Sequence, residues 1–160
     1  MNRTQTPQNE FEVIVVGAGA AGIGVSILLQ KLGINYIVLE KNSIGTSFKK
    51  WPEETRFISP SFTGNSFMMP DLNTISPDTS PAFDLLTEHP TGNDFAHYLE
   101  TVAKHFQLKI ETGIKVKNIE DKSGIFVLNT SNGIYKSQFV IWAAGAVSYT
   151  HLTLPTILRV

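Results

Sequence analysis

The sequence predicts an α/β domain on a parallel sheet, and three observations carry that expectation. An apolar run rich in β-branched residues ends at a glycine turn, a stretch of helix formers follows, and a second apolar run comes directly after it. The first run, Phe11-Glu12-Val13-Ile14-Val15-Val16, is stopped by Gly17, as in a strand buried on both faces. From Ala20 to Leu32, Ile23, Ile27, Leu28 and Leu32 recur at helical spacing, and Gly33 is placed to end the helix. Tyr36-Ile37-Val38-Leu39 is the second buried strand, closed by Glu40. Residues 11–40 therefore form one β-α-β unit with a right-handed crossover.

Composition bounds the rest. At 160 residues with 42% hydrophobic side chains, the chain is expected to be one domain with a real core. Lys+Arg number 13 against 14 Asp+Glu, so a net charge of -1 offers no basic surface for nucleic acid or anionic lipid. The absence of cysteine removes disulfides, thiolate zinc sites and a dithiol redox pair from this stretch. Residues 1–10 read as a polar tail without an apolar signal core, and no run approaches the roughly 20 apolar residues of a membrane span. A cytoplasmic location is the expectation.

Residues 52–91 differ in kind. Six of the eight prolines (Pro52, Pro60, Pro70, Pro77, Pro81, Pro90) lie among serines and threonines without clear periodicity. Phe57, Phe62, Phe67, Met68, Met69, Phe83 and Leu85 argue for packing, so the segment is expected to be irregular, with short turns, and to lie over a ligand site. Order resumes with a helix from Asp94, where Phe95, Leu99, Val102 and Phe106 share one face after Thr91-Gly92-Asn93. Leu108-Lys109-Ile110 is a third short strand. Three further strands, 114–119, 125–129 and 134–136, are separated by Asp121-Lys122-Ser123-Gly124 and Thr130-Ser131-Asn132-Gly133, which predicts an antiparallel meander. Phe139-Val140-Ile141-Trp142 is a last buried strand running into Ala143-Ala144-Gly145.

Residues 147–160 fit no element. Val147 to Thr156 back-translate as GTC TCT TAT ACA CAT CTG ACG CTG CCG ACG, which resembles the transposase end and adapter of a DNA sequencing library. A barcode would supply Ile157, Leu158 and Arg159, and adapter bases Val160 and a stop. The tail is expected to be non-native, His151 to carry no function, and residues 11–146 to be part of a longer domain. Such a piece is expected to be inactive alone and to expose apolar edge and face.

The chemistry sits in Gly17-Ala18-Gly19-Ala20-Ala21-Gly22, a GxGxxG turn between strand and helix, followed eighteen residues on by an acid, Glu40. Gly17 permits the tight turn, Gly19 the approach of a pyrophosphate, and Gly22 close packing of helix on strand; the helix N-terminus attracts the phosphates. Glu40 can accept from both ribose hydroxyls and repels a 2′-phosphate, which selects FAD or NAD over NADP. The other candidates weigh less. His97 and His105 read as surface residues on the amphipathic helix, His89 as a loop residue that could shape a pocket, Lys49 and Lys50 as solvated, and Trp51 as packing more than stacking. No His/Asp/Glu grouping has metal-ligand spacing.

A nicotinamide-type domain would continue with further β-α repeats, whereas here a meander and a strand ending in small residues follow. That arrangement, with Phe139-Val140-Ile141-Trp142-Ala143-Ala144-Gly145 as a second marker, resembles the Rossmann-like, three-layer ββα FAD-binding domain of glutathione-reductase-like flavoproteins. Ile44-Gly45-Thr46-Ser47-Phe48-Lys49-Lys50-Trp51-Pro52, Phe57-Ile58-Ser59-Pro60-Ser61-Phe62 and Glu88-His89-Pro90-Thr91-Gly92 make the chain similar to the flavin-containing monooxygenase-like and pyridine nucleotide-disulfide reductase-like FAD/NAD(P)-dependent oxidoreductases. The resemblance covers residues 11–145. It departs from the monooxygenase pattern at Gly45-Thr46-Ser47-Phe48, where that family usually has Gly-Gly-x-Trp.

The resemblance implies a truncated domain with helices on one face of a parallel sheet and the meander on the other. It implies that Gly17, Gly19, Ala20, Ala21 and Gly22 face the FAD pyrophosphate and Glu40 the ribose. Lys41 would lie beside the adenosine, Ser47 and Phe48 near the flavin, Val116 at the adenine through its backbone, and Gly145 against the cofactor. The activity implied is that of an FAD-dependent oxidoreductase reduced by NADPH or NADH, whose site lies outside this stretch, and reoxidised by oxygen or a small acceptor. Oxygenation and reduction of a low-molecular-weight disulfide both stay open, as does a non-catalytic dinucleotide-binding module. No side chain here is an evident acid, base or nucleophile. The expected partner is a small-molecule substrate, with a second copy of the full-length protein a candidate.

Overall fold

The computed structural model describes residues 9–62 and 71–145. Its framework is one six-stranded sheet. Strands β1 (Glu10–Val16), β2 (Tyr36–Leu39) and β3 (Ile110–Glu111) are parallel, with helix α1 (Ala20–Lys31) crossing between the first two. Strands β4 (Val116–Lys122), β5 (Ile125–Thr130) and β6 (Gly133–Trp142) form the antiparallel meander, and the sheet order is β3-β2-β1-β6-β5-β4.

The continuity of β6 corrects the expectation of two separate strands at 134–136 and 139–142. Its first half pairs antiparallel with β5, Thr130 opposite Gly133 through Phe126 opposite Ser137. From Lys136 to Trp142 its other edge pairs parallel with β1. One strand thus ends the meander and carries the chain into the parallel core. The sequence between the two apolar runs, Ser137-Gln138, is polar enough to look like a break, yet Ser137 is buried against its neighbours. Asn9 and Glu10, expected in the tail, also join the sheet: Lys136 donates its backbone N–H to Asn9, and its ammonium pairs with Glu10 at 3.1 Å.

Alternation along β1 and β2 sorts side chains onto two faces. Val13, Val15, Tyr36 and Val38 pack under Ile23 and Ile27 of α1 and under Phe95, Tyr98, Leu99 and Val102 of helix α4 (Gly92–His105). Ile14, Val16, Ile37 and Leu39 pack against Ile114, Leu128 and Tyr135 from the meander side. Helices cover one face and the meander the other, as the three-layer expectation requires.

Helix α4 starts at Gly92, two residues before the sequence-derived start, because Thr91 caps it. The Thr91 hydroxyl accepts from the Asp94 N–H at 3.1 Å while the Asp94 carboxylate accepts from the Thr91 N–H at 2.9 Å. Hydrogen bonds from the Thr91 side chain and backbone hold the Asp94 carboxyl below its ordinary value. A lowered folded pKa contributes stability that is complete above the ordinary carboxylate value and is lost as pH falls through the folded one. Thr91→Ala is therefore expected to cost about 1 kcal/mol at neutral pH, with the deficit shrinking on acidification below the ordinary carboxylate range. Urea midpoints measured along that pH series check it.

Two helices too short to show a helical period appear as well, α2 (Thr46–Lys49) and α3 (Pro81–Leu85). Between them, the described residues of 52–91 dock on the helix layer. The Tyr98 hydroxyl accepts from the Ile75 N–H at 3.0 Å, while inside the segment Ser80 donates to the Asp71 carboxylate at 2.6 Å and Asn73 to the Ser59 carbonyl at 2.8 Å. Phe67, Met68, Met69 and Pro70 lie outside the described residues, as do residues 1–8 and 146–160.

Candidate functional site

The parallel strands β1, β2 and β6 end together, and their C-terminal ends open onto a cleft of about 1050 Å³. That is the place where an open α/β sheet leaves room for a ligand, and the volume is at the upper end for small-molecule sites. Its floor is the turn between β1 and α1.

The first and third glycines of the turn are required by the protein itself. Gly17 has φ +106, and a Cβ on it would lie 2.5 Å from the Ala143 carbonyl oxygen. A Cβ on Gly22 would lie 1.9 Å from the Gly17 carbonyl oxygen. Gly19 is different. Its φ of -85° suits any residue, and nothing lies within 4 Å of the position its Cβ would take. No packing demands glycine there; a side chain would project into open space above the turn. Gly19 is also the N-cap of α1, with no side chain to cap the helix and no acid in its first turn. The first-turn N–H groups therefore have no side-chain cap, an arrangement that favours an anion.

Glu40 stands directly over this turn. One carboxylate oxygen accepts from the Ala18 N–H at 2.8 Å and the other from the Asn42 N–H at 2.8 Å. Each oxygen retains a lone-pair direction for a further donor. The backbone beneath is held by β3 and the connection that follows it: the Glu40 N–H donates to the Glu111 carbonyl at 2.8 Å, and its carbonyl accepts from Ile114 at 2.9 Å. Tyr135 braces that edge by donating to the Glu111 carboxylate at 2.5 Å; burial and then this bond push the phenol's pKa up.

Gly17, Gly19, Ala20, Ala21, Glu40, Lys41, Ser47, Phe48, Val116 and Gly145, all singled out from the sequence, line this one cleft. Gly22 does not; it lies behind the turn, where its packing role places it. Among the described residues that line the cleft, Glu40 is the one acid, against Lys41, Lys50 and Lys115. That balance favours an anionic ligand. Trp51 both lines the cleft and packs against Phe48 and Phe57, with ring centroids 5.3 Å from each.

Other expectations are corrected. None of the described residues of 52–91 lines the cleft. The bonds of Ile75 and Thr79 to Tyr98, and the packing of Phe57, Ile75 and Leu85 on the helix-face core, tie the segment to the helix layer instead of over the ligand site. His89 is likewise outside the cleft, its Nδ1 2.9 Å from the Phe57 carbonyl oxygen. Lys49 is not merely solvated, because its ammonium pairs with Glu100 at 2.6 Å, whereas Lys50 faces the cleft. His97 and His105 are exposed on α4. Asn42, Ile114, Lys115 and Trp142 also line the cleft and were not singled out. The signal for Trp142 was present: an aromatic where the strand-end marker calls for an apolar residue. Among the described residues no His, Asp or Glu group could hold a metal, and no helix is long and apolar enough to cross a membrane.

Comparison with known proteins agrees with this geometry. Residues 14–155 match the pyridine nucleotide-disulphide oxidoreductase family. The chain is 29% identical to the FAD-dependent oxidoreductase domain-containing protein 2 of Danio rerio, over 89% of this chain and 23% of that protein. It is 26% identical to an uncharacterized CzcO-like oxidoreductase of Geobacillus kaustophilus, over 86% of this chain and 37% of the relative. Among solved structures, the bacillithiol disulfide reductase of Staphylococcus aureus superposes with a TM-score of 0.74 at 25% identity, covering 86% of this chain and 39% of the reductase. A flavin-containing monooxygenase from Stenotrophomonas maltophilia shares the fold with a TM-score of 0.66 at 20% identity, covering 86% and 39%. The chain thus spans well under half the length of these relatives. With the turn, the acid and the three layers in one arrangement, and the match running over most of its length, the chain belongs to the pyridine nucleotide-disulphide oxidoreductase family.

Proposed function

We propose that this chain is the FAD-binding part of an FAD-dependent oxidoreductase whose flavin is reduced by NAD(P)H and reoxidised by oxygen or a small acceptor. The observation that carries the reading is Gly19: a glycine that no protein contact requires, set between unfilled space and a helix N-terminus, with a 2.8 Å hydrogen bond from the Ala18 N–H to the Glu40 carboxylate closing the turn beside it. The residues fit the group. First-turn N–H groups of α1 hold the pyrophosphate, and Glu40 accepts from the ribose hydroxyls with the lone pairs its backbone bonds leave free. A 2′-phosphate in that position would meet the carboxylate and be repelled. Val116, first residue of the edge strand β4, offers its backbone to adenine, and Lys41, Lys50 and Lys115 balance the ligand's charge. Ser47, Phe48 and Trp51 border the flavin half and exclude water from it. When bound, FAD supplies hydride acceptance and electron delivery; the chain supplies position and electrostatics.

Reduction of a low-molecular-weight disulfide is favoured as the electron-accepting half of the reaction by one observation, Gly45-Thr46-Ser47-Phe48 standing where monooxygenases usually have Gly-Gly-x-Trp. The test of the cofactor reading is a polarisation titration of FAD with the wild-type chain and with Gly19→Val. Binding by the first and its loss in the second support the reading; a folded wild-type chain that leaves FAD free overturns it.

A further inference from the structure

We infer that the indole of Trp142 is the platform on which the adenine ring of the dinucleotide rests. The inference builds on the cofactor reading of the cleft and extends it to a residue to which that reading gives no role.

Trp142 is 61% exposed although it lies at the end of a core strand. Its register partner on β1, Val16, is buried, as is Leu39, the partner of Val16 on β2. Registered residues of parallel strands share a face, so the indole stands on the meander face with Val16 and Leu39, where Ile114 and Val116 pack. It also lines the cleft. Among the described residues no ring partners it, in contrast with Trp51. Trp51 packs with Phe48 and Phe57, which belong to the helix-face core. The two tryptophans therefore border one cleft from opposite faces of the sheet. The indole of Trp51 is satisfied by packing, while that of Trp142 presents bare aromatic surface to the ligand space.

The half of the ligand that reaches Trp142 follows from Glu40. The carboxylate of Glu40 takes the adenosine sugar, and the Glu40 backbone carbonyl accepts from Ile114, which packs with Leu39 on the meander face. A base attached to that sugar falls toward Ile114, Val116 and Trp142, away from Phe48 and Trp51. Stacking on an indole is worth the most to a flat π-system such as adenine, and it needs no hydrogen-bond partner.

The test uses the full chain in two single-tryptophan forms, Trp51→Phe, which reports Trp142, and Trp142→Phe, which reports Trp51. ADP is expected to quench the Trp142 emission and leave that of Trp51 unchanged, while inorganic pyrophosphate quenches neither. Independently, Trp142→Ala is expected to weaken ADP, measured by competition with FAD, by roughly five- to a hundredfold, and Trp142→Phe by much less. ADP that displaces FAD without touching Trp142 emission, and with equal affinity for Trp142→Ala, would overturn the inference while leaving the cofactor reading intact. A chain that binds no FAD overturns both.

Discussion

Gly22→Ala is expected to destabilise the domain by about 3 kcal/mol, a loss opposite in sign to what helix propensity alone would give. Near the start of an ordinary helix, alanine for glycine gains up to about 1 kcal/mol. Here the new methyl would sit 1.9 Å from the Gly17 carbonyl oxygen. That oxygen belongs to backbone fixed on both sides: Gly17 donates to the Leu39 carbonyl at 2.9 Å, and the Ala143 backbone fills the space where a Gly17 Cβ would lie. The turn has no direction in which to yield, so α1 must lift from β1 and loosen Ile23 and Ile27 in the core. A urea midpoint that falls sharply checks this; an unchanged or raised midpoint means that the helix does not press on the turn.

Glu40→Ala is expected to act on both the fold and the ligand. Without the carboxylate, the N–H groups of Ala18 and Asn42 lose their acceptors. The turn is part-buried, so the cost is about 1–2 kcal/mol, within the range for an unsatisfied donor. Affinity for FAD is expected to fall roughly ten- to a hundredfold, because hydrogen bonds to a charged acceptor are the stronger kind. Glu40→Gln keeps one acceptor oxygen and is expected to fall between wild type and Glu40→Ala in both respects. Calorimetric titration of FAD beside thermal unfolding separates the two effects; affinity unchanged in Glu40→Ala would remove the carboxylate from the ribose.

The parts of this molecule legible in its sequence are those where one local pattern fixes both element and environment. Val13 to Val16, the glycine turn and Glu40 lie within thirty residues, and each constrains the next through strand, turn and helix geometry. Phe95, Leu99, Val102 and Phe106 likewise announce α4, though not its first turn, which the reciprocal bonds of Thr91 and Asp94 set. The continuity of β6 was hidden because Ser137-Gln138 is polar, and only pairing with β1 on one edge and β5 on the other shows that no break is needed. The placement of residues 52–91 was hidden for a different reason. Its polar anchors on the helix layer are the contacts of Ile75 and Thr79 with Tyr98, which leave no periodic trace. Lys49 looked solvated because its partner Glu100 is fifty-one residues away. The apolar run makes Trp142 the last residue of a buried strand, whereas its exposure follows from the cleft opening at that strand's end.

The most direct measurement is FAD binding by Gly19→Val set beside its circular dichroism. Valine suits the φ of -85° at this position, and no atom lies within 4 Å to oppose it. The variant is therefore expected to keep the wild-type spectrum and unfolding midpoint while losing affinity on the order of a hundredfold or more, since the side chain would hold the diphosphate away from the helix N-terminus. A folded Gly19→Val chain that binds FAD as tightly as the wild type would contradict the placement of the diphosphate on that turn.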